Sequence, residues 1–393
     1  MTSIEKLLRY RAAPTVSLET PMRVENPFTL STFIALRDGA PQTLTQISRA
    51  AGMSRPTALA AVNELDALGW IERLDPSNGD KAGRPAMQFR FRGEHGVVAG
   101  IDLGVHKILV LLQSIDGALV GEHRVLLEES ATGRTRIDAV ASAVTEAMAM
   151  HAPSARLLAA GIGVPGIVDR FGRISVSRAI PQLDGVDLGS ILSAQLGCAI
   201  FVENDAHSAT LGEFTYGAGR GTRDLIYLVA GYRTSAGIII DQKLHRGRTG
   251  VSGMVGEMSV LPWRDSVDGL VHHNPDSAEG PATIASVFEA AQGGDPGAQR
   301  AVAKYVDDLA VGLAMLALAI DPELVVVGGG VSQAGAALAR ELRERLSYHA
   351  RLVNPRVELS ELGDRATALG GVRLALDHVE TAVFDLSALP DAR

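Results

Sequence analysis

The stretch TLTQISRAAGMSRPTALAAVNELDALG, residues Thr43–Gly69, predicts two short amphipathic helices joined by a tight turn. Thr43 and Gln46 have the spacing of a capping box, in which each side chain bonds a backbone N–H at the start of the first helix. Gly52 is suited to end that helix. This arrangement is typical of a helix-turn-helix.

The second helix of this stretch has boundary signals of its own. Ser54 is suited to cap it, Pro56 is tolerated in its first turn, and Gly69 is suited to end it. Apolar side chains at helical spacing predict the stripe that this helix buries. They are Leu59, Val62 and Leu65.

Polar side chains around the turn are suited to contact phosphates and base edges in a DNA major groove. They are Thr45, Ser54, Arg55 and Thr57. Downstream, Trp70–Leu74 and Met87–Phe91 predict two strands of a wing around an Asn-Gly hairpin turn. The wing carries Lys81 and Arg84, and the flanking Gly and Pro hold Arg84 out toward a narrow minor groove. The alternative is a helical hairpin in a protein–protein interface, with Arg84 merely solvated.

The net charge of −8 is unevenly distributed along the 393 residues. Residues 1–92 contain 12 lysines and arginines against 9 acidic residues, whereas the rest contains 25 against 36. Because an acidic body is repelled by DNA phosphates, we expect contacts with DNA from the N-terminal module alone.

Cys198 is the only cysteine, and the apolar run 198–202 predicts it in a buried strand with an unreactive thiol. One cysteine excludes a disulfide within the chain and favours a reducing cytosol. The N-terminus lacks a signal-peptide pattern, and the longest apolar run, 309–320, is shorter than the ~20 residues of a membrane span. We therefore expect a cytoplasmic protein that does not bind a membrane.

From Val97 onward the sequence pattern is α/β. Strands expected between Val97 and Val125 form an antiparallel meander, and helices and strands then alternate. A second meander between Leu225 and Leu244 begins the same series of elements, which closes with a helix near Ala366. This repetition predicts two similar lobes with a ligand cleft between them.

Four motifs in the α/β part give the chain a resemblance to a known family. They are GIGVPGIVD at 161–169, ENDA at 203–206, GMVGE at 253–257 and VGGGVS at 327–332. With the Gly-Arg-Pro of the wing, they resemble the ROK family (repressor, open reading frame, kinase) in its winged-helix transcriptional regulator branch. The resemblance covers nearly all of residues 26–375. It implies a winged helix-turn-helix followed by a two-lobed, actin-like (ribonuclease H-like) sugar kinase fold, assembled as a dimer or tetramer.

The expected domains follow from these patterns. Residues 1–24 are a mobile arm, 25–92 the winged helix-turn-helix, 97–375 the kinase-like domain and 376–393 a tail. Within the kinase-like domain, lobe 1 covers about 97–203 plus the C-terminal helix, and lobe 2 about 204–365.

The resemblance also implies where a sugar binds. Asp205 matches the general base of the family's kinases, Asn204 and Glu257 match sugar-binding positions, and Gly166 lets the backbone approach the ligand closely. Gln182 stands where a sugar-binding Asn is usual. The same residues allow a purely structural interpretation, in which Asn204 and Asp205 only cap the following helix.

The phosphate-binding turns depart from the pattern of the family's kinases. The first turn carries Val105 and His106 in place of a Gly and a Thr. The second has Tyr232 and Arg233 where small residues are needed to let backbone N–H groups reach phosphates. Only the turn Gly328–Gly330 remains. Because phosphoryl transfer needs accurate positioning of ATP, we expect neither ATP binding nor catalysis.

The family's structural zinc cluster is missing as well. Ser259 stands at its His position, and no cysteine follows it. The pair His272-His273 lies near Asp268 and Glu279, but a solvated loop fits this segment better than a metal site. We therefore expect no metal ion or other cofactor.

Together these features predict a transcriptional regulator and not an enzyme. More specifically, they predict a repressor that binds double-stranded operator DNA. Its effector would be a sugar or sugar phosphate bound near Asn204, Asp205 and Glu257. Two alternatives stay open. One is an ATP-dependent sugar kinase with a DNA-binding appendage, which Asp205 favours, and the other is a ligand-independent repressor whose body only serves dimerisation.

Overall fold

The N-terminal module packs helices against a small antiparallel sheet. The computed structural model describes residues 26–36, 40–74, 86–231, 234–264, 266–273 and 282–382. Its first helices are α1 (Pro27–Leu36), α2 (Leu44–Ala50) and α3 (Arg55–Ala67). Strands β1 (Gln42–Thr43), β2 (Ile71–Leu74) and β3 (Gln88–Phe91) pair in the order β1-β3-β2. These elements confirm the predicted helix-turn-helix and the two strands at the base of the wing.

The predicted caps of this module are present. The Thr43 side chain accepts from the Gln46 N–H, and Gln46 Oε1 accepts from the Thr43 N–H at 2.8 Å, which completes the capping box. Ser54 Oγ accepts from the Thr57 N–H at 3.3 Å at the start of α3. Gly69 follows α3 with φ +81°, a conformation that glycine adopts without strain.

The predicted buried stripe of α3 was wrong at one position. Leu59 is 42% exposed, whereas Val62 and Leu65 are buried as expected. Two alanines, Ala58 and Ala61, complete the buried face with the spacing i, i+3, i+4 and i+7. Their small side chains let α3 lie close to its neighbours, so the helix turns Leu59 to the solvent.

The module is fixed to the body through an aromatic cluster. The Trp70 ring stacks on Phe91 with centroids 5.7 Å apart, and Phe33 meets Phe91 edge-on at 5.0 Å. These rings share one continuous hydrophobic core with Val98 and Leu158 of the body. The short connection 93–96 contributes a 3₁₀ turn and the first residue of the next strand. Module and lobe 1 therefore pack as one unit.

The first lobe of the body is built on a five-stranded mixed sheet. Its strands are β4 (Gly96–Leu103), β5 (Lys107–Ser114), β6 (Leu119–Leu126), β7 (Arg156–Val164), the short pair β8 (Ile167–Val168) and β9 (Ile174–Val176), and β10 (Ala199–Asn204). The sheet order is β10-β7-β4-β5-β6, while β8 and β9 form a separate hairpin. Helices α4 (Gly133–His151) and α5 (Leu188–Leu196) cover one face.

The second lobe repeats this topology. Helix α6 (Asp205–Tyr216) leads into β11 (Leu225–Val229), β12 (Ser235–Ile240), β13 (Lys243–Leu244), α7 (Ser266–Val271), α8 (Ile284–Gln292), α9 (Pro296–Ile320), β14 (Leu324–Gly328), α10 (Ala336–His349) and β15 (Arg356–Leu359). The sheet order is β13-β12-β11-β14-β15. In both sheets the first strand is central, its two successors pair antiparallel on one side, and two parallel strands follow on the other. The duplicated architecture is therefore confirmed.

The last helix, α11 (Ala366–Ala382), returns from lobe 2 to the sheet of lobe 1. Glycines allow this close approach, because a β-carbon at Gly161 would lie 2.0 Å from the carbonyl oxygen of Gly371. The helix includes residues 376–382, which we expected in the tail. Helix α6 packs along α11, so two helices pass between the lobes side by side.

Two sequence expectations about buried segments can be compared directly with this fold. Cys198 is fully buried, and burial raises the pKa of its thiol to about 12, as an unreactive cysteine requires. The apolar run 309–320 lies inside α9 and packs in the core of lobe 2. Among the helices of the described ranges, none has an apolar segment long enough to cross a membrane.

Candidate DNA-binding surface and interlobe site

The start of α3 presents the side chains predicted to bind DNA. Thr45, Ser54 and Arg55 are exposed, and Thr57 is half-buried. The hydroxyls of Ser54 and Thr57 lie 2.7 Å apart, so both also serve the helix cap. Arg55 is thereby held at a rigid helix start, the position from which a recognition helix contacts base edges.

The acidic residues of α3 are bonded to other side chains of the module. Glu64 accepts from Thr29 Oγ1 at 2.6 Å, and Asp66 accepts from Arg73 Nε at 2.9 Å. Arg73 also donates to Asn63 Oδ1 at 2.8 Å. Arg73 therefore offsets the negative charge of Asp66 near the end of the helix. Lys81 and Arg84 of the wing lie outside the described residues.

In the body, the junction between β10 and α6 collects polar side chains at the cleft between the lobes. Asn204 is buried, and its Oδ1 accepts from the His207 N–H at 3.0 Å, which caps α6. Its Nδ2 donates to the Gly166 carbonyl and to Asp205 Oδ1, both at 2.9 Å. The structural interpretation of Asn204 is confirmed, since it caps the helix, and the same side chain ties the helix to the Gly166 turn.

Two carboxyl groups near this junction resist ionisation. Burial raises the pKa of Asp205 to about 6, although the Ala206 N–H favours its charged form. Burial raises the pKa of Asp102 at the end of β4 to about 7, against the opposing effect of Lys107, whose Nζ lies 3.9 Å from the carboxylate. The charge of Asp205 also disfavours ionisation of Asp102. Such a pair is suited to accept or donate protons near neutral pH.

A charged network that sequence reasoning missed joins the lobes beside Asn204. Glu203 accepts from Arg246 Nε at 2.5 Å and lies 3.4 Å from His207 Nδ1, and His207 Nε2 lies 2.8 Å from the Ser252 carbonyl. Although burial opposes its ionisation, Arg246 and His207 hold the pKa of Glu203 at about 2. Glu203 belongs to lobe 1, while Arg246 and Ser252 belong to lobe 2. His207 is fully buried, and the only signal of this network in the sequence was the charged Glu203 directly after the apolar residues of its strand.

A second ion pair joins the lobes at the surface. Arg178 Nη1 lies 2.7 Å from Glu257 Oε2, and both side chains are about half-exposed. The neighbouring Ser177 is buried and donates to the Pro165 carbonyl, which places Arg178 beside the Gly166 turn. Glu257 is therefore brought toward the group around Asn204. Gln182 is exposed beside Gly133 and takes no part in these bonds within the described part of the chain.

The turn between β4 and β5 is closed by the protein itself. The Gly104 N–H donates to the Lys107 carbonyl at 2.9 Å, and the His106 carbonyl accepts from the Leu127 N–H at 2.8 Å. The buried Arg136 donates to the Val105 carbonyl at 2.5 Å. It also binds the carbonyls of residues 128, 129 and 131. Of the backbone N–H groups that could bind a phosphate here, that of Gly104 is used within the turn, and the Val105 and His106 carbonyls fix the conformation of the loop.

Two further glycine-rich turns were compared with the family's phosphate-binding turns, and the structure describes only part of the first of these two. Tyr232 and Arg233 lie outside the described residues. At the third turn Gly329 has φ +82°, and the Val331 N–H donates to the Ala230 carbonyl at 3.2 Å, so this segment forms a tight strand-to-helix connection. Within the described ranges, no three His, Cys, Asp or Glu side chains are grouped to hold a metal ion. Glu279 lies outside those ranges.

The chain was compared with known proteins. The sequence model of the ROK family matches residues 98–266 and 266–378, and that of the IclR helix-turn-helix domain matches residues 31–75. The xylose repressor of Caldicellulosiruptor bescii is 26% identical over 375 residues, covering 85% of this chain and 92% of the repressor. The glucokinase of Streptomyces coelicolor is 31% identical over 320 residues, covering 71% of this chain and 98% of the enzyme.

Solved structures share the architecture of both parts. A crystal structure described as a ROK family transcriptional regulator, homologous to the MLC protein of E. coli, superposes with a TM-score of 0.69. That match covers 91% of this chain and 96% of the regulator at 16% identity, so it supports the fold alone. The family match in sequence covers most of the residues after the N-terminal module, and the chain belongs to the ROK family.

Proposed function

We propose that this protein is a transcriptional repressor whose affinity for operator DNA is controlled by a sugar or sugar derivative bound between its lobes. The observation that carries the proposal is the pairing of a capped helix-turn-helix with a ROK body in one tightly packed unit. The likeness to a xylose repressor spans both parts, whereas the likeness to a glucokinase covers a smaller share of this chain.

The N-terminal module supplies the DNA contacts. Arg55 at the start of α3 binds base edges or phosphates, assisted by Thr45, Ser54 and Thr57. Lys81 and Arg84 of the wing remain predicted contacts with the minor groove. Because the recognition helices of two subunits read two half-sites, a homodimer or tetramer would bind a pseudopalindromic operator.

The cleft supplies the sugar site. Asn204 and Asp205 are held rigidly by the cap and by the Gly166 carbonyl, and the remaining lone pairs of Asn204 Oδ1 and of the Asp205 carboxylate can accept from sugar hydroxyls. Gly166, Gln182 and Glu257 remain proposed contacts with the ligand. A sugar that displaces the Arg178–Glu257 pair would change the contact between the lobes.

Coupling follows from how the parts are joined. Trp70 and Phe91 fix the DNA-binding module to lobe 1, so any movement of lobe 2 is also a movement relative to the module. Glu203 of lobe 1 bonds Arg246 and His207 of lobe 2 directly beside the sugar site. The ligand can shift DNA affinity only by the difference between its affinities for the two lobe arrangements.

We further propose that this body does not transfer phosphate. The support is the β4–β5 turn, where Val105 and His106 replace the small and hydroxyl-bearing residues of the family's kinases and the Gly104 N–H already donates to the Lys107 carbonyl. An ATP-dependent sugar kinase with a DNA-binding appendage is the second candidate. It is favoured by Asp205, because a carboxyl with a pKa near 6 is suited to general base catalysis.

The test selects DNA from a random duplex library with the full-length protein and measures ADP release with ATP and a panel of sugars. The proposal expects an enriched, pseudopalindromic sequence and no sugar-dependent ADP release. If no DNA sequence is enriched, the proposal of a repressor is refuted. Sugar-dependent ADP release at about 1 per second or faster, as in ordinary enzymes, would establish kinase activity.

We also propose that the repressor lies in the cytoplasm, where its operator DNA lies.

A further inference from the structure

We propose that Leu59 reads the 5-methyl group of a thymine in the operator, and so determines part of the sequence preference of this protein. The inference rests on the proposed DNA-binding function and concerns a residue to which sequence reasoning assigned a place in the core. It follows from the residue types on the exposed face of α3.

Leu59 occupies the face of α3 that points away from the protein. It lies one turn after the exposed Arg55 and one turn before the exposed Asn63, so the three side chains form a row. The opposite face is fully buried by Ala58, Ala61, Val62 and Leu65. No rotation of the helix can therefore bury Leu59 in the core.

The surroundings of Leu59 favour a nucleic acid over bulk solvent. Asp66 lies on the same face, one turn after Asn63, but Arg73 Nε donates to its carboxylate at 2.9 Å and offsets its charge. The other carboxylate of α3, Glu64, accepts from Thr29. The next residue, Ala60, is exposed and small, which leaves room for a base edge to approach. A face of this kind is electrostatically acceptable to DNA phosphates.

The chemistry of the major groove then identifies what Leu59 can bind. Leucine has no hydrogen-bonding group, and among the base pairs only those with thymine present a methyl group in this groove. Contact between the two removes apolar surface of both partners from water. Loss of one methyl-sized contact corresponds to about 0.8 kcal/mol, which is about fourfold in Kd at 1.4 kcal/mol per tenfold.

The experiment replaces each thymine of the selected duplex by deoxyuridine, which removes only the methyl group. Kd is measured by fluorescence anisotropy at one fixed salt concentration, because electrostatic contacts vary with salt. The full-length protein is compared with Leu59→Ala and with Leu59→Met, which keeps an apolar side chain. Leu352→Ala is the matched control, since Leu352 is 92% exposed on lobe 2.

We expect uracil at one or more positions of a half-site to weaken binding of the full-length protein and of Leu352→Ala by about fourfold. Leu59→Ala should bind the thymine and uracil duplexes equally at those positions, and Leu59→Met should regain part of the difference. Insensitivity of the full-length protein to every uracil, or an unchanged uracil effect in Leu59→Ala, would overturn the inference while leaving the repressor intact.

Two further outcomes separate this inference from its alternatives. If Leu59→Ala changes the sedimentation coefficient and keeps the uracil effect, the side chain belongs to a protein–protein contact and the inference is wrong. If the full-length protein enriches no sequence at all, the proposed function itself fails, and the inference fails with it.

Discussion

The starts of helices α3 and α6 use the same local device in different surroundings. Ser54 caps α3 at the surface, and its side chain bonds Thr57 within the next helical turn. Asn204 caps α6 inside the protein and also bonds the Gly166 carbonyl, 38 residues away. The first cap leaves its helix start open to a partner, whereas the second ties its helix start to two other segments. The start of α3 is therefore suited to bind a partner, whereas the start of α6 is suited to link movements of the segments that it joins.

The largest expected effect concerns the buried cap. Asn204→Ala removes the cap and leaves the Gly166 carbonyl without its donor, so we expect the free energy of unfolding to fall by about 3 kcal/mol. Urea unfolding followed by circular dichroism measures this loss. Asn204→Asp keeps an acceptor for the cap but lacks the donor, and it should lie between Asn204→Ala and the unchanged protein. Equal free energies of unfolding for the three proteins would contradict the expected contribution of the buried Asn204 cap to stability.

The next effect concerns the open helix start. Arg55→Ala should weaken operator binding by about fivefold to 150-fold, because one good contact with a base is worth about 1–3 kcal/mol. The melting temperature should not change, since Arg55 is exposed. Arg356→Ala, an exposed arginine of lobe 2, serves as the control in the same gel-shift titration. Undiminished affinity of Arg55→Ala would remove α3 from the DNA interface.

A smaller effect depends on pH. Burial raises the pKa of Asp205 from 3.8 to about 6, so the folded protein holds this proton more tightly than the unfolded chain. Ionisation of Asp205 therefore lowers stability above pH 6, and this cost vanishes as the pH falls below the unfolded pKa. Asp205→Asn keeps an acceptor for the Ala206 N–H without the charge.

Because the Asp205 side chain is only half-buried, we expect Asp205→Asn to stabilise the protein by about 1–2 kcal/mol at pH 7.5 and by almost nothing near pH 4. Asp138→Asn is the control with the opposite sign, since Arg134 and Gln195 lower the pKa of the exposed Asp138. A gain in the stability of Asp205→Asn that persists at pH 4 would contradict the burial of its charge.

The smallest effect concerns the surface cap. Ser54→Ala should destabilise the start of α3 by ~1 kcal/mol, the usual cost of losing an exposed N-cap. Hydrogen exchange at the amide of Thr57 should become several-fold faster, while amides of α6 keep their rates. Ser54→Thr keeps a hydroxyl acceptor and is expected to restore protection. Equal acceleration in both helices would mean that the caps are coupled.

The same comparison explains what the sequence could predict. The capping box of Thr43 and Gln46, the Ser54 cap and the end of α3 at Gly69 depend on neighbours within one or two turns, and all were predicted correctly. The duplicated meanders were predicted because their strands alternate locally. Leu59 was assigned to the core because the helical pattern was traced through the large apolar residues alone. The buried face also includes the small residues Ala58 and Ala61.

The side chains around the cleft are brought together by contacts between residues far apart in the sequence, which no local pattern predicts. Glu203 and Arg246 lie 43 residues apart, and His207 reaches Ser252 over 45 residues. Arg136 is buried only because the carbonyls around it come from two separate loops. The family resemblance therefore singled out Asn204 and Asp205 as candidate site residues, but the sequence did not reveal the charged groups beside them.

The most direct test of the sugar-controlled repressor is the Kd of the selected operator duplex, measured by anisotropy with and without each member of a sugar and sugar-phosphate panel. We expect at least one compound to weaken operator binding by about tenfold or more, a coupling of about 1.4 kcal/mol. A Kd that stays the same with every compound, at concentrations for which calorimetry shows the cleft to be occupied, would contradict the proposal.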